Sequence, residues 1–267
     1  MKHTRAARMR LTVLGCRGSV SVSGTEFDEF GGGTSCYLVE ADGESLFLDA
    51  GTGLLKAPTS FARPACILLS HPHLDHLSGL GAYGPLFASS LQLRLLVPAQ
   101  SDVAAKRMID NLYSPPLWPV TLTDCKGLSV EALPEVLSIG GLDVCSIEGS
   151  HPGGCRVFKI GYADKSLVYA SDYEYSESSF ERLVRFCKAA SLVLFDAQYR
   201  EDEYETRRGY GHSTARVGLE LMRRSGAERM LLIHHDPRSS DAMLRARERE
   251  LGDSRVRYAR EGEVVDL

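Results

Sequence analysis

Five runs of apolar, β-prone residues in this chain end on a histidine or an aspartate, and that repetition constrains the fold more than any other feature. The run at 65–69 leads into His71-Pro72-His73-Leu74-Asp75-His76. His151 follows the run at 142–150, Asp172 that at 165–171, Asp196 that at 191–195, and His234-His235 that at 229–233. Ionisable residues at strand ends collect where loops meet at a sheet edge, so residues far apart in sequence converge in one cleft.

The surrounding pattern predicts short strands at 10–14, 36–40, 45–49, 66–70, 92–97, 128–132, 142–148, 156–162, 166–170, 191–195, 229–233, 255–259 and 263–266. Helices are predicted over 76–83, 101–111, 178–189, 213–224 and 239–250, with Val103, Met108, Ile109 and Leu112 on one face of the second. The glycine-rich segments 30–35 and 49–53 read as turns that use glycine's backbone freedom, and the proline-rich 113–120 as an extended loop. Two successive strand-rich halves without a linker predict an α/β fold of two sheets packed face to face, helices outside, in one domain spanning 1–267.

A net charge of -4 gives no overall pull toward nucleic acid or anionic membrane. Arg5, Arg8 and Arg10 near the start, and Arg245, Arg247, Arg249, Arg255, Arg257 and Arg260 near the end, read as solvated arginines on terminal elements. No apolar stretch approaches the roughly 18–20 residues that span a bilayer, so a cytoplasmic protein with no membrane partner is expected. The seven cysteines contain no C-x-x-C pair, which suggests neither a disulfide framework nor a zinc knuckle. Most are expected as small core residues; Cys155, four positions after His151, is the one that could instead lie near the strand-end cleft.

Imidazole and carboxylate without sulfur are ligands for zinc and related divalent ions. Pro72 marks a turn that fans His71, His73, Asp75 and His76 into two groups, a geometry suited to two ions about 3.5–4 Å apart.

With H-x-H-x-D-H at 71–76, a later histidine in "GSHPGG", an aspartate in "VYASD" and a terminal histidine after a strand, the chain resembles the metallo-β-lactamase fold superfamily of binuclear metallohydrolases. The likeness extends through "LGCRGS" (14–19), "GGGTSCYLVE" (31–40) and "LDAGTG" (48–53), nearly the whole chain. It implies a four-layer αβ/βα sandwich with the metals at one edge. It also implies His71, His73 and His151 at one metal, Asp75 and His76 at the other, and Asp172 bridging them. For the last ligand the choice lies between His234 and His235; the residue directly after the strand matches the family's terminal histidine, which selects His234. His235 is then expected behind the ligands or facing substrate, with Asp236 orienting a neighbouring imidazole. Two divalent ions are implied, with zinc as the default and manganese or iron also accepted by such ligands.

The histidine at position 73 departs from the flavodiiron branch, which carries glutamate there, and "GHST" at 211–214 is absent from the β-lactamases themselves. That element resembles the small phosphodiesterase branch, related to tRNase Z and to the cyclic-nucleotide and phosphonate-pathway phosphodiesterases. The resemblance implies a metal-held hydroxide attacking a small or nucleotide-like phosphodiester. His212 is expected as general acid, Asp196 as the group that holds it, and Asp75 as ligand and proton acceptor. Alternatives are a tRNA 3′-end endonuclease, a lactone or thioester hydrolase, and a non-catalytic metal-binding sensor. Nucleic acid is not the favoured partner, because the intervals between His151 and Asp172 and between Asp172 and His212 leave no room for a long projecting arm. The segment 113–120 could form a lid in which Tyr113 and Trp118 stack on a base or else cover the core. The lid and the arginine-rich end leave a homodimer open.

Overall fold

In a computed structural model that describes residues 8–87 and 91–267, the chain folds into two seven-stranded sheets. Arg5 lies outside the described residues. The first sheet contains β1 (Arg10–Gly15), β2 (Cys36–Ala41), β3 (Glu44–Leu48), β4 (Ala65–Leu68), β5 (Leu93–Val97) and β6 (Leu128–Ala132). Its seventh strand, β14 (Val264–Asp266), returns from the far end of the chain to pair antiparallel with β1. The second holds β7 (Leu137–Ile139), β8 (Leu142–Glu148), β9 (Arg156–Tyr162), β10 (Lys165–Ala170), β11 (Leu192–Asp196), β12 (Met230–Ile233) and β13 (Val256–Tyr258). The spatial orders are β14-β1-β2-β3-β4-β5-β6 and β13-β12-β11-β10-β9-β8-β7. In each sheet the antiparallel pairings lie on one side and parallel pairings, β3 to β6 or β10 to β13, on the other.

Period-2 alternation decides which residues fill which layer. Cys66 and Leu68 of β4 point between the sheets, where they meet Leu167 and Tyr169 of β10 and Leu192 and Leu194 of β11 in one core. Ala65 and Ile67 point the other way, under α1 (Asp102–Asp110) and the short turns around it. On the second sheet Val168, Val193, Phe195 and Leu232 pack outward under α2 (Glu177–Phe186), α3 (Ala215–Ser225) and α4 (Asp241–Glu250). Strands covered on both faces read as continuous apolar runs, which is why they stand out in the sequence. The four layers match the expected αβ/βα sandwich. No helix among the described residues is long and apolar enough to cross a membrane.

Four expectations need correction. The helix predicted over 76–83 is a series of 3₁₀ turns at Leu74–His76, Leu80–Ala82 and Gly84–Phe87. There the backbone at Gly79 packs so closely that an added Cβ would lie 2.0 Å from the Gly51 carbonyl oxygen. Glycine at 51 likewise serves close approach rather than unusual torsion, since its Cβ would sit 2.2 Å from the Asp75 carbonyl oxygen. Val103 is exposed, because α1 buries Ala105 and Ile109 instead. The strand Leu137–Ile139 escapes the sequence pattern, being only three residues long. The terminal arginines among the described residues lie at the surface as expected, most of them in ion pairs, such as Arg245 with Glu29, Arg255 with Asp253, Arg257 with Glu263, and Arg260 with Glu248.

Arg17 joins the two sheets where their loops meet. It is fully buried, and donates from Nε to the Gly31 carbonyl (2.7 Å) and from Nη1 to those of Ser239 (2.7 Å) and Asp236 (3.2 Å). Replacing it by leucine leaves three carbonyls without this donor, each costing about 1–3 kcal/mol. R17L is expected to lose about 3 kcal/mol or more in equilibrium urea unfolding; a loss below about 1 kcal/mol would show that the guanidinium is dispensable.

Candidate metal centre

β4 stops at Leu68, and Ser70 is pinned as the chain leaves the sheet: its backbone N–H and Oγ–H donate to Asp49 Oδ1 (2.6 Å) and Oδ2 (2.7 Å). His71 and His73 follow, and a 3₁₀ turn from Leu74 to His76 then swings Asp75 and His76 away from them. The remaining residues arrive from the second sheet, His151 after β8, Asp172 after β10 and His234 after β12. Two groups result, His71, His73, His151 and Asp172 in one and Asp75, His76, Asp172 and His234 in the other, with ligand atoms within 4.8 Å of one another in each.

Asp172 belongs to both groups through different oxygens. Its Oδ2 lies 3.5 Å from His71 Nε2 and 3.8 Å from His151 Nε2, while its Oδ1 lies 3.1 Å from His76 Nε2 and 3.2 Å from His234 Nε2. Asp75 Oδ2 completes the second group, 3.4 Å from His76 Nε2 and 3.1 Å from His234 Nε2. Ligands held tetrahedrally at 2.0–2.1 Å stand about 3.3 Å apart, so these spacings suit ions at both centres.

Hydrogen bonding on the far side of the rings sets their tautomers. His71 Nδ1 faces Ser70 Oγ (3.0 Å), whose own proton goes to Asp49; His76 Nδ1 faces Asp49 Oδ2 (2.6 Å); His151 Nδ1 faces the Gly211 carbonyl (2.9 Å). Each partner accepts, so each Nδ1 donates and each Nε2 keeps a lone pair for a cation. His73 turns the other nitrogen inward, with Nδ1 3.1 Å from His151 Nε2. Among the described residues the buried Nε2 atoms of His71 and His76 make no hydrogen bond. Buried polar atoms aimed at one another without partners are what a cation corrects, and the donor set fits divalent ions.

The charge balance agrees. Burial works against the charged form of His234, but Asp172, a hydrogen bond with Asp75 and the charge of Asp196 outweigh it and raise the imidazole to about 9. His76 is likewise raised against its burial, by Asp172, Asp75 and Asp49. His71 is pushed down by burial and by His76, and His151 by burial. Asp75 and Asp172 are held below the usual carboxylate range in spite of burial, by His76 and His234. The acidic half of the cluster therefore attracts positive charge strongly.

His212 adjoins this centre, its ring stacked on His234 at 4.7 Å between centroids. Its Nδ1 lies 2.9 Å from Asp196 Oδ2, and that carboxylate is itself fixed by the backbone N–H groups of Tyr173 and Gln198. Glu174 accepts from the backbone N–H groups of Gly209 and Gly211 at 2.6 and 2.8 Å, tethering the loop that delivers His212. Gly211 has a φ of 89°, and a Cβ there would lie 2.1 Å from His151 Nδ1, so only glycine fits.

Several residues occupy other places than the sequence suggested. His235 faces the core, fully buried, with Nε2 on the Ala259 carbonyl and its ring edge-on to Phe30 and Tyr258. Asp236 accepts from Arg238 instead of orienting an imidazole. Of the two readings open for Tyr113 and Trp118, the structure matches the second: Tyr113 donates to the Leu77 carbonyl and meets Trp118 edge to face, so the pair covers the core. Cys155 does lie near the site, its thiol donating to the Asp172 carbonyl and pushed up to about 12 by burial. Sequence reading missed Asp49, on which Ser70, His76 and Tyr169 converge, although it follows β3 as the other aspartates follow their strands. Glu174 and Gln198 gave no comparable signal.

Residues 45–235 match the family model of the beta-lactamase superfamily domain. The chain is 25% identical to the probable metallo-hydrolase YhfI of Bacillus subtilis, over 96% of this chain and 99% of that protein. The crystal structure of YhfI aligns at a TM-score of 0.75 and 22% identity, covering 98% of this chain and all of the other. A ribonuclease Z of Haloarcula marismortui is 24% identical over 96% of this chain and 94% of its own. A diphosphatase from the PhnP family aligns at a TM-score of 0.71 and 16% identity, over 97% of each chain.

Because His234 holds its second proton up to about 9, an ion entering there near neutrality displaces it. Metal uptake by the metal-free protein at pH 7 is expected to release protons, and apparent affinity to rise with pH until His234 deprotonates. Calorimetry in buffers of different ionisation enthalpy measures this; uptake without proton release would contradict the charge balance.

Proposed function

The chain belongs to the beta-lactamase superfamily, and from that premise we propose a binuclear metal-dependent phosphodiesterase, residues 1–267 forming one hydrolase domain, that cleaves a small or nucleotide-like phosphodiester. The ligands in this reading are His71, His73 and His151 at one ion, Asp75, His76 and His234 at the other, and Asp172 between them. Two divalent ions held there, with zinc the first candidate before manganese and iron, would supply an acidified water and neutralise charge on the phosphoryl oxygens.

The observation that carries the proposal is the His212–Asp196 pair beside a carboxylate whose two oxygens face two histidine groups. Acyl transfer leaves charge on one carbonyl oxygen; a diester needs charge balanced on a phosphoryl group and a proton for a poor alkoxide leaving group. With Nδ1 donating to Asp196, His212 keeps Nε2 for that proton. Asp196 is the positioning residue, turning the imidazole through its hydrogen bond to Nδ1. Asp75 accepts the proton of the attacking water.

A small substrate is supported by the interval from His151 to Asp172, which the hairpin of β9 and β10 fills, and by the ion-paired arginines at the C-terminal end. The ribonuclease Z likeness supports a second reading, 3′-end cleavage of precursor tRNA. Turnover of bis(p-nitrophenyl) phosphate, cyclic nucleotides, a lactone, a thioester and precursor tRNA by metal-loaded protein separates these. Two bound metals with no turnover of any would instead support a sensor. H212A is expected to keep its metal content while diester turnover falls by about 10²–10⁴-fold; unchanged turnover would remove His212 from the mechanism.

A further inference from the structure

The side chain of Gln198 stands between the two functional parts of the centre. Its buried side chain lies with Oε1 3.0 Å from His234 Nδ1, and its Nε2 donates to Ser19 Oγ at 3.1 Å. Ser19 gives its backbone N–H to Asp75 Oδ2 at 2.7 Å, and the same oxygen lies 3.1 Å from His234 Nε2. These contacts close a ring through His234, Gln198, Ser19 and Asp75. We propose that Gln198, seated on Ser19, is a positioning residue that fixes His234 as its Nδ1–H tautomer and so presents Nε2 to the ion shared with Asp75, His76 and Asp172. The inference rests on the binuclear reading and deepens it.

The chemistry of the amide makes the choice consequential. With Oε1 toward the ring, Nδ1 donates and Nε2 keeps its lone pair; with the amide reversed, its NH₂ donates to Nδ1 and the neutral ring carries its proton on Nε2, where it competes with a cation. His71, His76 and His151 rest on a hydroxyl whose proton is already engaged, a carboxylate and a carbonyl, which can only accept. His234 relies on a rotatable neutral amide, so what holds that amide matters. In this orientation the amide gives its Nε2–H to Ser19 Oγ, while Ser19, at a φ of 62°, sends its own backbone N–H to Asp75.

The ring itself has little freedom. A Cβ on Gly18 would lie 2.3 Å from His234 Nδ1, so the glycine backbone closes over that edge of the imidazole. Gly18 also donates its N–H to the His235 carbonyl at 3.0 Å, fastening the loop that carries Ser19 to the end of β12. The backbone of Gln198 donates to Asp196 Oδ1, so one residue steadies both the metal side and the proton-donor side.

Metal-free protein prepared by chelation, titrated with Co²⁺ by absorbance and with Zn²⁺ against a chromophoric chelator, tests the assignment without reference to activity. Q198L is expected to weaken one of the two ions by about 10–100-fold and leave the other unchanged, with far-UV circular dichroism as for wild type. Q198E, which can only accept from Nδ1, is expected to hold both ions as wild type does. S19A, at an exposed position, is expected to weaken the same ion about tenfold and decides the matter should Q198L not fold. Wild-type affinity for both ions in S19A or in folded Q198L overturns the proposal, as does loss of an ion in Q198E. A wild-type protein that takes up fewer than two ions overturns the binuclear reading instead.

Discussion

Four aspartates, Asp49, Asp75, Asp172 and Asp196, are buried at the edge where the two sheets meet, and the rest of the molecule is arranged around the cost of keeping them there. An ionised carboxylate taken out of water costs several kcal/mol unless opposite charge and hydrogen bonds offset it. Here the compensation comes from histidines and from backbone N–H groups delivered by strand ends of both sheets. The strands must therefore end where they do, and the sheets must stay face to face. The inter-sheet core, with Tyr37 and Tyr169 in contact, holds the edge that this cluster occupies.

Backbone strain follows the same logic. Seven non-glycine residues among those described have positive φ, and Ser19, Asp49, Asp172 and His234 are four of them. Such a conformation costs of order 1–3 kcal/mol at a residue with a side chain. At these four positions it turns a functional group sharply off the end of a strand or loop, and the hydrogen-bond network fixes each in place. The torsions are a consequence of convergence, since a relaxed extended exit would carry these groups past the cleft.

Most of this was legible in the sequence because the signals were local. An apolar run covered on both faces and ended by an ionisable residue declares itself, and so the strands carrying His71, His151, Asp172, Asp196 and His234 stood out. The structure brings all of these residues, with His73, Asp75, His76 and His212, to one place. What stayed hidden depends on contacts between segments. The helix expected at 76–83 is broken because Gly79 must lie against Gly51, a contact no short-range period encodes. Asp49 closes a predicted strand, yet nothing local says that Ser70, His76 and Tyr169 converge on it or that Gln198 lies beside His234. His235 could not be told from His234 by type; the sharp turn at His234, whose φ is 60°, sends that ring to the cleft and leaves its neighbour in the core.

The pairing of Arg10 with Asp266 and of Leu11 with Val265 has a kinetic meaning. β1 leads straight into Arg17 and Ser19, yet its outer edge is covered by β14, which lies far along the chain at Val264–Asp266. Contacts separated by so much chain are entropically expensive to form early, so they favour slow, late closure. During synthesis the segment bearing Ser19 waits, flanked on one side only, until that strand arrives. Assembly of the ring around His234 thus awaits that pairing, and a polypeptide interrupted before residue 264 leaves β1 as an open edge available to other chains.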